Sequence, residues 1–281
     1  MNELRDSTIL ITGAAGGIGS ATARELGRAG ASLLLTDVHA PALSELAERL
    51  ASEGIDNRVI PVNLASAEDR AELVALASRL HVDTLVNIAG VNPFGWLAEQ
   101  TPAEIELVFR INTVAPVLLC QAMLPVLAAN APARIVNVGS AFGALGYPGF
   151  AAYSASKFAM RGFSEALRRE LADADIGVHY VAPRATRTQL VTDRVRAMNE
   201  ALGIAMDPPV VVARAIAKTL RSGRRELALG LPERLFAWIN ALFPALVDRA
   251  LARQLPTIRR FAARNPAAGE VRRPSAAMHS T

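Results

Sequence analysis

The chain alternates short, unbroken apolar runs with longer stretches in which apolar residues recur every three or four positions. TILIT at Thr8–Thr12, SLLLTD at Ser32–Asp37, Arg58–Val62, DTLVNI at Asp83–Ile88, RIVNV at Arg134–Val138 and GVHYV at Gly177–Val181 have the length and composition of strands. Helical spacing lies between them: from the glycine turn after Thr12 to about Ala29, then at about 41–53, 66–80, 102–129 and 151–173. Strands that are apolar throughout are covered on both faces, which predicts a parallel sheet between two layers of helices. Right-handed crossovers then give an α/β fold with a doubly wound parallel sheet, spanning residues 1–230 as one domain. Ligands bind such sheets beyond the carboxyl ends of the strands, where the glycines and polar residues of this chain collect.

Beyond Pro183 the pattern loosens. Asp207 and Pro208 read as the N-cap and first position of a helix reaching about Leu220, and Glu226 to Leu229 as a last strand. Residues 231–264 read as an amphipathic helical extension interrupted by Pro244 and Pro256, and residues 265–281, rich in Pro, Ala, Ser and Arg, as a disordered tail. Leu235 to Val247 carries no charge for 13 residues, too short to span a bilayer, and is flanked by Arg234, Arg249, Arg253, Arg259 and Arg260. Three placements are open for it: against the substrate pocket or a second subunit, on an anionic membrane surface, or in the core. Packing against protein is preferred, with the membrane surface second. The longest uncharged run, Ile111 to Ala133, contains Asn112, Thr113, Pro116, Gln121, Pro125 and Asn130, and is expected to be a buried helix.

Composition adds bounds. With 281 residues, 51% hydrophobic and 20% charged, the chain is long enough for a sizeable core and typical of a soluble enzyme. Cys120 is the single cysteine, which excludes an internal disulfide and a cysteine metal cluster. The start, MNELRDSTILITG, has acids where a secretory signal carries bases, so cytoplasmic residence is expected. Residues 1–183 hold 13 Lys+Arg against 19 Asp+Glu, and residues 184–281 hold 17 against 7. The bases stand singly among Ala and Leu, without the aromatic interleaving of nucleic-acid surfaces, so no nucleic-acid partner is expected.

Thr12-Gly13-Ala-Ala-Gly16-Gly17-Ile18-Gly19 lies between the first strand and first helix. Glycines there let the backbone approach a pyrophosphate, and the helix N-terminus offers free N–H groups with partial positive charge. In this context the turn points to a Rossmann-type dinucleotide site. Asp37 ends the second strand, where a carboxylate can accept from both adenosine-ribose hydroxyls and repel a 2′-phosphate, favouring NAD over NADP.

Tyr153 and Lys157 are spaced i, i+4, so on a helix they share a face. A free tyrosine titrates near ~10, too high for efficient acid–base work at neutral pH, and a neighbouring ammonium lowers that value. Lysine occurs twice among 30 basic residues, so a compact ammonium at 157 reads as selected for hydrogen bonding as well as charge. Ser140 follows the strand RIVNV, where its hydroxyl can hold a substrate oxygen as negative charge develops.

The chain resembles the short-chain dehydrogenase/reductase family over residues 7 to about 230: TGxxxGxG at Thr12–Gly19, NxAG at Asn87–Gly90 and YxxxK at Tyr153–Lys157. The resemblance implies hydride transfer between NAD and a secondary alcohol or ketone. It makes Tyr153 the proton donor and acceptor, Lys157 the ribose-binding group that lowers the phenol's pKa, Ser140 the substrate-positioning hydroxyl, and Asn112 the holder of a relay water. It also places Thr12, Gly13, Gly17, Ile18, Gly19, Asp37, Asn63, Leu64, Asn87, Ala89, Gly90, Pro183, Thr186 and Thr188 around the cofactor, and implies a homo-dimer or homo-tetramer. Asn63 stands where the family has an acid, and Arg184 where it has a glycine; Arg184 is expected to face solvent. A non-catalytic NAD-binding or membrane-surface scaffold is the alternative, disfavoured because Tyr153 and Lys157 are both present.

By the same resemblance, residues 186–206 form a substrate lid. The loops Val91–Leu97 and Ala141–Phe150, with Phe94 and Tyr147, supply further walls that are apolar and aromatic, without convergent acid or base. A small lipophilic substrate is expected, such as a steroid, a fatty-acyl derivative or an aliphatic or aromatic ketone.

Overall fold

The computed structural model describes residues 4–263. Seven strands, β1 (Thr8–Thr12), β2 (Ser32–Asp37), β3 (Asn57–Pro61), β4 (Thr84–Asn87), β5 (Ala133–Val138), β6 (Ile176–Ala182) and β7 (Glu226–Ala228), form one sheet in the order β3-β2-β1-β4-β5-β6-β7. Every pairing is parallel. Strand order reverses at β1/β4, which opens a crevice at their carboxyl ends. The register aligns Thr36, Thr12, Asn87, Asn137 and Tyr180 in one row across the sheet near that edge.

The apolar strands segregate their side chains by alternation, as the pleat requires. Ile9, Ile11, Leu33, Leu35, Val86, Val136 and Val181 join the core under α1 (Gly17–Arg28), α2 (Ala40–Ser52) and α8 (Pro209–Ser222). Leu10, Leu34, Leu85, Ile135 and Val178 face the opposite layer, built from α3 (Ala67–Arg79), α5 (Ala115–Ala129) and α6 (Ala151–Glu170). Ser66 and Thr101 cap α3 and α4 (Pro102–Phe109) with their hydroxyls, and Glu104 completes a capping box at α4.

The helix expected over 102–129 is continuous but not uniform. A π turn, Arg110–Val114, separates α4 from α5 and contains Asn112. Pro102–Ala129 is long and apolar enough to cross a membrane by length and composition. Leu119, Cys120, Met123 and Leu127 are nevertheless buried against the sheet, as expected for a core helix.

Two expectations are corrected, and one open placement of the extension is excluded for its first helix. The helix begun at 151 ends at Glu170, three residues early, and turns into β6. Asp207 is not the N-cap of α8: Pro208 holds that position, and the Asp207 carboxylate is taken by Arg184. The core placement of the extension fails for α9 (Leu231–Leu242), which has no buried residue. Its successor α10 (Pro244–Ala262) buries Val247, Ile258 and Ala262 and packs against α7 (Asp193–Ala201), the helix of the 186–206 segment. Arg194 of α7 donates to the carbonyls of Phe261, Ala262 and Ala263 at 2.6–3.0 Å, satisfying acceptors at the end of α10. The tail expected to be disordered from 265 lies outside the described residues.

Ile258 is fully buried in the cluster that also holds Tyr147, Phe150 and Tyr153. Ile258→Ala should therefore lower unfolding free energy by ~2–4 kcal/mol and raise KM more than it lowers kcat. Denaturant melts with steady-state kinetics check this; unchanged stability would show that α10 is not anchored there.

Candidate active site

The crevice is built by three strand ends. Gly13, at φ 66, adopts a left-handed conformation, and a Cβ there would lie 2.7 Å from the Ala89 Cα, so only glycine lets β1 and β4 loops touch. Thr12 accepts from Ile88 N and Ala89 N at 3.1 and 3.3 Å, stitching the same loops together. No side chain caps α1 at Gly16, so its N-terminal N–H groups are left for a ligand. Thr188 closes over this turn: a Cβ on Gly17 would approach its Cγ2 to 2.9 Å. Ile18 packs into the core behind, and Gly19 faces the Gly13 carbonyl.

Asp37 stands beside the turn at the end of β2. Its two carboxylate oxygens accept from Ala15 N and His39 N, both at 3.1 Å, which fixes the group with lone pairs to spare. An uncapped helix N-terminus, a glycine-cleared floor and an anchored carboxylate fit a dinucleotide. Asn63 is exposed and caps its own turn, its Oδ1 accepting from Ala65 N at 3.0 Å, and Leu64 is buried beside it. The Asn87 side chain is turned away from the crevice: it donates to Asn137 Oδ1 at 2.9 Å and Cys120 Sγ at 3.3 Å. The NxAG asparagine thus ties β4 to β5, and only the backbone beyond it, with Ala89 and Gly90, borders the cofactor crevice. Pro183 accepts from Ala141 N at 2.8 Å, joining the end of β6 to the Ser140 turn.

The reactive groups meet on α6. Tyr153 is 9% exposed and Lys157 6%, on the helix face turned inward. Lys157 Nζ donates to Val138 O at 3.3 Å and lies 5.7 Å from the centre of the Tyr153 ring. A Cβ on Gly90 would fall 3.1 Å from Asn112 Oδ1 and 3.7 Å from Lys157 Nζ, so both polar atoms border the space that glycine leaves open. Asn112 is buried; its Nδ2 donates to Val91 O at 2.9 Å and Ser156 Oγ at 3.1 Å, and its Oδ1 accepts from Val91 N at 2.8 Å. The π turn thereby locks the β4 loop to α6.

Ser140 has extended backbone and its Oγ accepts from Phe142 N at 3.1 Å. That bond leaves the hydroxyl proton to donate, and the phenol of Tyr153 is within its reach. Burial pushes the Tyr153 pKa up to about 12, partly offset by Ser140, and pushes Lys157 down to about 8. In the protein without nucleotide, burial is the largest influence on both Tyr153 and Lys157. The Lys157 ammonium is directed at the Val138 carbonyl, and desolvation outweighs every attraction the phenol receives.

Two participants escaped sequence reasoning. Tyr180 on β6 lies under the Ser140 turn, its phenol filling the places that Cβ atoms on Gly139 and Gly143 would occupy. The signal was the glycine pair flanking Ser140. Arg184 does not face solvent: its guanidinium grips Asp207 twice, at 2.8 and 2.6 Å, and approaches Glu233 of α9 at 3.6 Å. Asp207 N also donates to Ala185 O at 2.8 Å and Thr186 bridges to Asp207, so Arg184 closes the neck of the 186–206 segment. The carboxylates hold the Arg184 pKa above its ordinary value, and Asp207 is held below its own, chiefly by the Arg184 hydrogen bond.

Aromatic rings wall the space over Tyr153. Phe94 stacks on Phe150 and Phe142 on Tyr147, each pair 4.9 Å apart, and Tyr153 meets Phe142 and Phe150 edge-on at 6.3 Å. Val195 and Met198 from α7 and Ile258 from α10 complete the cluster. The Tyr147 hydroxyl is already held by Gln254 of α10 at 2.9 Å.

A dinucleotide crevice opening onto a serine, a buried phenol and a buried ammonium defines a nucleotide-dependent oxidoreductase. The chain belongs to the short-chain dehydrogenase family, whose model matches residues 7–199. It is 31% identical over 265 residues to dehydrogenase/reductase SDR family member 7B of Bos taurus, covering 89% of this chain and 81% of that protein. It is 37% identical to nodulation protein G of Rhizobium meliloti over 189 residues, covering 65% and 74%. Among solved structures, a short chain dehydrogenase/reductase from Burkholderia phymatum in complex with NAD superposes with TM-score 0.80 at 22% identity, covering 88% of this chain and 96% of that one. A putative NAD(P) dependent gluconate 5-dehydrogenase from Beutenbergia cavernae with bound NADP gives 0.73 at 29% identity, covering 80% and 96%.

A base whose pKa is lowered on folding sheds its proton between the folded value, about 8, and the ordinary 10.5, so its stability contribution rises with pH across that window. Below about 8 the folded protein bears the full cost of the buried charge. Lys157→Met should stabilise the cofactor-free protein by ~1–3 kcal/mol at neutral pH, fading toward pH 10.5, while abolishing turnover. Thermal melts across pH measure it; a Met variant less stable at pH 7 than at pH 10, relative to wild type, would contradict the buried-charge account.

Proposed function

We propose that this protein transfers a hydride between NAD(H) and a lipophilic secondary alcohol or ketone. The observation that carries the reading is the convergence of Ser140, Tyr153 and Lys157 beside the dinucleotide crevice, under a wall of aromatic rings. When bound, an oxidised nicotinamide supplies the acceptor for the carbon-bound hydride and a positive ring that favours the phenolate of Tyr153. Ser140 donates its free hydroxyl proton to the substrate oxygen and stabilises the charge that develops there. Tyr153 takes the alcohol proton in oxidation and returns it in reduction. Lys157, whose Nζ borders the space beside Gly90, would hold a ribose hydroxyl there, and Asn112 borders the same space.

NAD rather than NADP is supported by Asp37, whose anchored carboxylate would face a 2′-phosphate with like charge. Related structures were solved with either nucleotide, NAD in one and NADPH or NADP in others. A lipophilic substrate is supported by Phe94, Phe142, Phe150, Val195 and Met198, with the Tyr147 hydroxyl already engaged by Gln254.

Tyr153→Phe should lower kcat by at least ~10²-fold while leaving the NAD-induced thermal shift unchanged; undiminished turnover on a panel of lipophilic alcohols would sink the mechanism. For Asp37→Ala, the ratio of NAD to NADP affinity should fall by about tenfold or more. A thermal-shift titration in which NADP already stabilises the wild-type protein more than NAD would overturn the cofactor assignment.

A further inference from the structure

Helix α9 carries its apolar side chains outward. Leu231, Leu235, Trp238 and Leu242 follow the i, i+4, i+7, i+11 spacing of a single helical stripe and are 77%, 58%, 67% and 51% exposed. The stripe continues over the corner into α10 through Phe243 and Leu246, also exposed. The inner side is attached to the enzyme: Asn240 Nδ2 donates to Ala144 O at 3.3 Å, Glu233 meets Arg184 at 3.6 Å, and the helix packs on the turn Ala141–Gly143 that follows Ser140. The outward stripe is therefore part of a fixed element.

Charge continues this surface. Leu246 is followed on the outer face of α10 by exposed Arg249, Arg253 and Arg260 at helical spacing, with Arg234 beside the stripe on α9. None of these four is in an ion pair among the described residues. From Leu231 to Ala263 there are five arginines against Glu233 and Asp248, and Glu233 is engaged by Arg184. Leucine, phenylalanine and tryptophan bordered by arginine, at a corner between two helices, are what the boundary of an anionic bilayer accepts. A second copy has a different apolar face available, where Leu107, Val114, Leu118 and Phe158 are exposed on α4, the π turn, α5 and α6.

We propose that α9 and the α9–α10 corner dock the protein peripherally on an anionic lipid surface, with the exposed stripe in the headgroup region and the arginines on lipid phosphates. Docking places the Ser140 turn and α10, which together border the aromatic cluster, next to the membrane. A lipophilic substrate dissolved in the bilayer would then have a short route to the site; this last step rests on the proposed function, whereas docking does not.

The test is co-sedimentation of the full chain at low salt with vesicles of phosphatidylcholine alone and of phosphatidylcholine with phosphatidylglycerol. Partition into the pellet should be at least about tenfold greater with the anionic vesicles and fall as salt rises. The double variant Leu235→Glu with Trp238→Glu should lose that partition by about tenfold or more at an unchanged melting temperature, since both side chains are exposed. Arg249→Gln with Arg253→Gln should weaken only the anionic preference. Tyr153→Phe should sediment like wild type, which separates docking from catalysis. Equal recovery in the supernatant with and without vesicles overturns the proposal. So does a fall in light-scattering mass for the Leu235/Trp238 variant without vesicle binding by wild type, which would assign α9 to a second copy.

Discussion

An ammonium buried without a carboxylate partner among the described residues is the constraint around which this protein is arranged. Lys157 is 6% exposed, its hydrogen bond goes to the Val138 carbonyl, and burial alone lowers its pKa to about 8. Such a group costs stability, and it persists because the surrounding elements fix α6 rigidly. Asn112 and Thr113 in the π turn bond Ser156 from one side, at 3.1 and 3.2 Å. From below, Tyr180 supports both the Ser140 turn and the Lys157 backbone through Gly139 and Gly143. The phenol of Tyr153 is destabilised as an anion by the same burial. The enzyme thus holds an acid above its ordinary pKa and a base below its own, 5.7 Å from ring centre to nitrogen, in a site where a bound nicotinamide would add positive charge.

Much of this was legible because it is local. Apolar runs of four to six residues sufficed for the strands, and the glycine turn, Asp37 and the i, i+4 pair on α6 announce themselves within short windows. What escaped depends on distance along the chain. Arg184 is read wrongly as solvent-facing because Asp207 is 23 residues away, and Glu233 lies farther still. Asn87 is assigned to the crevice by its motif, whereas its partners, 33 and 50 residues on, draw its amide into the sheet. The π turn is invisible to periodicity, since one widened turn barely shifts the apolar phase of a long helix. The i, i+4 spacing places Tyr153 and Lys157 on one face without specifying where each is aimed, and the Lys157 ammonium is aimed at the Val138 carbonyl.

The elements after β6 are tied to this frame by side chains. Arg184 joins the neck of the 186–206 segment to α9, Arg194 joins α7 to the end of α10, and Gln254 of α10 holds Tyr147 in the aromatic wall. The 186–206 segment and the extension are therefore tied to each other and to the aromatic cluster that holds Tyr153. The glycine usual at position 184 would leave the neck more flexible and the extension without this tether. Its replacement by arginine exchanges backbone freedom beside the cofactor for this tether.

Burial sets the Tyr153 phenol high, and the proposed role of cofactor charge is to bring it into working range. Phenolate absorbance, titrated for wild type against Tyr153→Phe, isolates this one group. The difference signal should titrate near about 12 for the protein alone and move down by at least about two units when saturating NAD is present. A difference signal that titrates at the same pH with and without NAD would contradict that role.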